Sequence, residues 1–176
     1  MHVFAGLIAI LVAAFLLYNR FRQAANTTEK ILDMGNEVRL AARRFGFKRK
    51  ANVHPVETVD DPRLTAAGLL HATGLQAGPL TESELGQIHI QIQSVFDTDL
   101  HEAKEISVFG SWLVTQCTTP AQAIDRLAKR TFNLGGDATF KDIQTMLARI
   151  YASGNAARQD ALTYALSDIA RVYGRN

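Results

Sequence analysis

Cysteine is nearly absent from this 176-residue chain: Cys117 stands alone. That excludes an intramolecular disulfide framework, a Cys-based zinc site and an iron–sulfur cluster. No glycine-rich phosphate loop occurs, and no two histidines stand at the i, i+4 spacing that sets two metal ligands on one helix face. Large charge of one sign is missing too, since the formal net charge is only +2. That average conceals a division. Residues 19–50 carry nine Lys/Arg against three acids, whereas residues 51–176 carry ten against fourteen. A basic collar precedes a mildly acidic body, and the body is a poor nucleic-acid binder. Disorder is excluded for the bulk of a chain that is 47% hydrophobic.

One long apolar run is present, Val3 to Tyr18, without a charged side chain. As a helix it spans roughly 24 Å, and Arg20 and Arg22 extend its reach by snorkelling. A secretory signal peptide is the rival, but only His2 precedes the run, and it ends in Phe15, Leu16, Leu17 and Tyr18 rather than in small residues. Residues 1–18 are therefore expected to form a transmembrane anchor. Arg20, Arg22 and Lys30 follow it, so the positive-inside rule puts the N-terminus outside a bacterial inner membrane and the remainder in the cytoplasm. Within the run Ala5, Ala9 and Ala13 recur every fourth residue, with Gly6 beside the first. Small residues at that spacing admit a partner helix at close range.

Residues 19–50 read as a basic juxtamembrane helix continuing from the anchor. Ile31, Met34, Val38, Ala41 and Phe45 step by three and four, a heptad-like seam. Arg39, Arg43, Arg44, Lys48, Arg49 and Lys50 crowd its end, interleaved with Phe45 and Phe47. Three uses compete: a solvated stalk, a stripe docked on another subunit or on a second copy, and a contact with anionic lipid. Residues 51–60 read as a linker, with His54 in solvent.

Residues 61–176 read as six helices opened by strong start signals. These are Asp61–Pro62, a Thr81/Glu84 capping box, Asp99, Thr119–Pro120, Asp137 or Thr139, and Asn155. Gly74, Gly78, Pro79, Gly135, Gly136, Gly154 and Gly174 supply the stops. The stretch Ile88–Gln93 alternates as a strand does, but the capping box before it argues helix. The fold class is all-α, and the bundle carries enough large apolar residues for a core.

The chemistry inventory is thin. Glu102 and Glu105 read as favourable charge near a helix start. His71, His89 and His101 fall on different helices, and a convergent site would require the fold to gather them. Cys117 reads as a small apolar filler without a base beside it, and Trp112 as packing. No catalytic residue, metal ligand or cofactor is assigned.

Residues 62–174 resemble the TerB-like domain, the helical module of tellurite-resistance proteins that also stands behind a membrane helix in DnaJ-like co-chaperones. The resemblance is carried by Ala77, Gly78, Pro79, Leu80, Thr81 and Glu84 after Leu69 and Leu70. It repeats in Ser153, Gly154, Asn155 and Gln159 after Met146, Leu147 and Ile150. It implies an all-helical bundle with two related turns. The family's Asp-Gly acids, its proposed divalent-cation ligands, are replaced here by Ala77 and Ser153, so the resemblance carries the fold and not the metal. No His-Pro-Asp signature follows, which sets aside a complete co-chaperone.

These readings converge on a non-catalytic adaptor or accessory subunit of an inner-membrane complex. Its expected partners are membrane lipid and other membrane-protein subunits, not nucleic acid. The alternative is a stress-response sensing domain for a cation or small ligand, which would need four or more carboxylates around one pocket.

Overall fold

A computed structural model describes residues 35–175. Among them every regular element is helical. Residues 35–44 (α1) are followed by a 3-10 turn at Pro55–Thr58. Then come α2 (Pro62–Gln76), α3 (Glu82–Phe96), α4 (Leu100–Thr115), α5 (Pro120–Gly135), α6 (Ala138–Tyr151) and α7 (Ala156–Val172). No helix among the described residues is long and apolar enough to cross a membrane. The apolar run Val3–Tyr18, with Ala5, Gly6, Ala9 and Ala13, lies outside them, as do Ile31 and Met34.

The start signals act as expected. Asp61, Thr81, Asp99, Thr119 and Asn155 each accept a backbone N–H of the following first turn. Each satisfies a donor that the helix itself leaves unpaired. Thr81 and Glu84 complete the capping box in both directions. Asp137 precedes α6 without a side-chain cap.

Helix α2 is the axis of the bundle, packed against α3, α4, α5, α6 and α7. The sequence suggests one apolar face for it, through Leu64, Ala67, Gly68 and His71. Instead, every residue from Leu64 to Gly74 is buried. Its Ala, Gly and Thr positions make this feasible, because small side chains let neighbours close in on all sides. At the α2–α4 crossing a Cβ on Gly110 would lie 2.6 Å from the Gly68 nitrogen and 2.8 Å from the Ala67 carbonyl carbon. The two backbones touch there. Ile88 and Ile92 of α3, Ile106, Phe109 and Leu113 of α4, and Ile124 and Leu127 of α5 fill the space around α2.

The domain begins earlier than Asp61. The chain from Val38 onward forms one compact unit. Ala41 is fully buried, and Val38, Ala42, Phe45 and Phe47 pack on the same core. Phe47 meets Phe109 at 5.1 Å and Trp112 at 5.5 Å between ring centroids, both edge-on. The Arg63 guanidinium lies 5.6 Å from the centre of the Phe45 ring. The expected linker, residues 51–60, is corrected likewise: Val56, Thr58 and Val59 are buried. His54 is no free solvent residue. Its Nδ1 accepts the Val56 N–H at 3.3 Å, which leaves Nε2 to donate to the Gln116 carbonyl at 3.0 Å. The seam at Val38 and Phe45 therefore serves the protein's own core.

Candidate functional site

The two related turns come together. The α2–α3 turn, residues 77–81, and the α6–α7 turn, residues 152–155, are joined by one side chain from the start of α7, Arg158. Its Nη1 donates to the Gly74 carbonyl in a short contact and to Gly78 at 3.2 Å. Its Nη2 donates to the Pro79 carbonyl at 2.7 Å and to Glu84 Oε2 at 3.0 Å. Its Nε lies 2.6 Å from Glu84 Oε1. The pair is a fork against a carboxylate, the geometry in which guanidinium hydrogen bonds are strongest. It is also secluded, with side-chain exposures of 9% for Arg158 and 17% for Glu84.

Local sequence builds this arrangement. The Gly78 φ of +117° suits glycine alone. At Gly154 a Cβ would meet the Arg158 Cβ at 2.6 Å, so glycine lets the arginine stem lie over the turn. At Gly74 a Cβ would meet the Tyr151 hydroxyl at 2.6 Å. Tyr151 is buried and donates to the Leu70 carbonyl at 2.8 Å. Burial pushes its phenol up, and the Glu84 charge adds to this. Burial also acts to raise the Glu84 carboxyl. The Thr81 amide and hydroxyl and the Arg158 guanidinium outweigh it and hold the group below the ordinary carboxylate range.

Beside the junction lies an open polar hollow of about 450 Å³, lined by Ser83, Glu84, Gln87, Arg149, Ile150, Ser153 and Gly154. Glu84 is its one carboxylate, and Arg158 already engages it. The donor set does not fit a divalent cation: Ala77 and Ser153 offer no carboxylate, and the carbonyls of Gly74, Gly78 and Pro79 face a guanidinium. Among the described residues no three His, Cys, Asp or Glu side chains gather as a metal would require.

The three histidines remain apart in role. His71 is buried on α2, with Nε2 2.8 Å from Ser107 Oγ. Burial, with a contribution from His89, lowers its pKa to about 4. It is a neutral core hydrogen-bonder. His101 sits exposed at the start of α4, 3.7 Å from Glu105. Glu102 pairs with Arg63 at 3.0 Å and Glu105 with Arg44 at 2.6 Å, so both acids tie α4 to neighbouring segments. Cys117 is half-buried, its thiol pushed up by burial.

Compared with protein-family models, curated proteins and solved structures, the chain matches none. Arg158 is the residue that sequence reading passes over. A signal for it exists: a cation at the third position of a helix opposes the helix dipole, a mismatch that a counter-charge from elsewhere in the fold offsets.

Of the other residues singled out in the collar, Arg39, Arg43 and Lys48 are exposed, as are Arg49 and Lys50. Among the described residues none of these five forms an ion pair, whereas Arg44 has Glu105. A second groove, along α5, is lined by three cations and two acids, and each of the cations is paired. Arg126 pairs with Glu57, Lys129 with Asp125 and Arg130 with Asp60.

Proposed function

We propose that this chain is a membrane-anchored, cytoplasm-facing adaptor or accessory subunit of an inner-membrane protein complex, with a TerB-like helical domain as its presenting body. The observation that carries the anchoring is the uncharged run Val3–Tyr18 followed by Arg20, Arg22 and Lys30. The non-catalytic part of the reading is supported by the junction of the two turns. There the family's proposed cation ligands are replaced by Ala77 and Ser153, and Arg158 sets an internal positive charge against the turn carbonyls and Glu84. The small-residue stripe Ala5, Gly6, Ala9 and Ala13 is the surface offered to a partner's membrane helix.

Two experiments test it. A reporter active only in the periplasm, fused after Asn176, should stay silent, and a strong signal would overturn the topology. In mild-detergent purification the Ala9→Leu chain should insert normally yet lose the co-purifying subunit, because the larger side chain separates two backbones. Ile10→Leu, on another face, should keep it. Retention in both variants would remove the stripe from the argument.

A further inference from the structure

We infer that residues 39–50 form a docking surface for the headgroups of an anionic membrane, holding the helical domain down on the bilayer.

Helix α1 is two-faced, and its faces are assigned by packing. Val38, Ala41, Ala42 and Phe45 are spent on the domain's own core, so the helix has no apolar seam left for a coiled coil. Outward on α1 lie Arg39, Leu40, Arg43 and Arg44, spaced as one helix face with the single acid Glu37 at its start, and Lys48, Arg49 and Lys50 follow directly. Leu40 is 59% exposed among these cations. Five of the six basic groups have no acidic partner among the described residues, although the body that bears them is acidic overall. The contrast with α5 is informative, because there each cation of the groove has its carboxylate. An uncompensated cationic face on an acidic body is a directional device. It is drawn to an anionic sheet while the rest of the surface is repelled.

The occupant is set by what lies upstream. Twenty residues separate Tyr18, the end of the apolar run, from Arg39. With the anchor in the bilayer, a connector of that length keeps anionic headgroups at high local concentration around the basic face. This step rests on the anchoring proposed above. The apolar contribution of an interfacial helix is small here, with Leu40 the one large apolar side chain on the outward face, so the attraction is electrostatic and salt-sensitive.

The test uses the full chain. Cys117→Ala removes the native thiol, and Ala51→Cys, at an exposed position beside the collar, takes an environment-sensitive dye. The protein is mixed with phosphatidylcholine vesicles and with vesicles that also contain phosphatidylglycerol. The dye emission should shift to the blue on the anionic vesicles, remain near its aqueous value on the neutral ones, and return on adding salt. Replacing Arg39, Arg43, Lys48, Arg49 and Lys50 by Gln should weaken docking about fivefold per charge removed. Replacing the three arginines by Lys should preserve it. An unchanged melting curve and Trp112 emission would establish that the Gln variant is folded. Equal shifts on both vesicle types, undiminished docking of the Gln variant, or a response to duplex DNA but not to anionic vesicles would each overturn the proposal. Flotation with neutral vesicles judges the anchor separately. A chain that fails to float there but shifts its dye on anionic vesicles lacks the anchor and retains the docking surface.

Discussion

Arg158 grips both oxygens of Glu84, with Nε 2.6 Å from Oε1 and Nη2 3.0 Å from Oε2, across 74 residues of sequence. The same guanidinium caps the end of α2 and spans its turn to α3 through three carbonyls. Arg158→Met would leave the partly buried Glu84 without its counter-charge and orphan those carbonyls. Removing one partner of a buried pair costs about 3–5 kcal/mol, and with Glu84 only partly buried about 2–3 kcal/mol is expected. Urea unfolding should show that loss, and Arg158→Lys should recover only a part of it, since an ammonium cannot fork. The Arg158→Met/Glu84→Gln double variant should lose less than the two single losses combined. Strict additivity would mean the pair is not coupled.

The α2–α4 contact yields a pair of opposite outcomes. Gly110→Ala drives a methyl into the backbone of Ala67 and Gly68 and should destabilise by roughly 2–3 kcal/mol. Gly86→Ala, inside α3 with nothing within 4 Å of the new methyl, should stabilise by about 0.5–1 kcal/mol. Melting temperatures should move in opposite directions.

His71 makes stability fall on mild acidification. Its pKa is about 4 folded against 6.5 for an unperturbed side chain, so below pH 6.5 the unfolded chain takes up a proton that the folded one refuses. Stability is full above pH 6.5 and declines as pH drops toward 4. From pH 7.5 to 5.5 the loss is on the order of 1 kcal/mol. Glu84, Asp99 and Asp125 all titrate below their usual range and contribute little in that interval. His89, half-buried, is also lowered and adds to the trend. In urea titrations at the two pH values, most of the difference should vanish in His71→Gln. A difference that survives the substitution would place its source elsewhere.

Phe47→Ala should cost roughly 2 kcal/mol, as befits a half-buried aromatic. It should also shift the emission of Trp112, the only tryptophan, because Phe47 covers that ring. A chain shortened to residues 51–176 should show the same shift and a larger loss. Identical emission and melting in the shortened chain would return residues 38–50 to the role of a stalk.

Local signals carried the bundle. A cap residue acts within three or four positions, so Asp61, Thr81, Asp99, Thr119 and Asn155 announce their helices without knowing the fold. The same locality kept Ile88–Gln93 helical against its strand-like alternation. What a helix packs against is not local. Periodicity reports that Val38 and Phe45 share a face, and it is equally satisfied by lipid, a partner or the protein's own core; tertiary packing chose the core. The burial of α2 on every side depended on small residues in α4 meeting small residues in α2, a match between distant segments. Arg158 and Glu84 belong to the same class. Each is an ordinary charged residue in its own stretch of chain, and only the long-range fold placed one on the other, because a buried charge is tolerable solely where its counter-charge arrives with it.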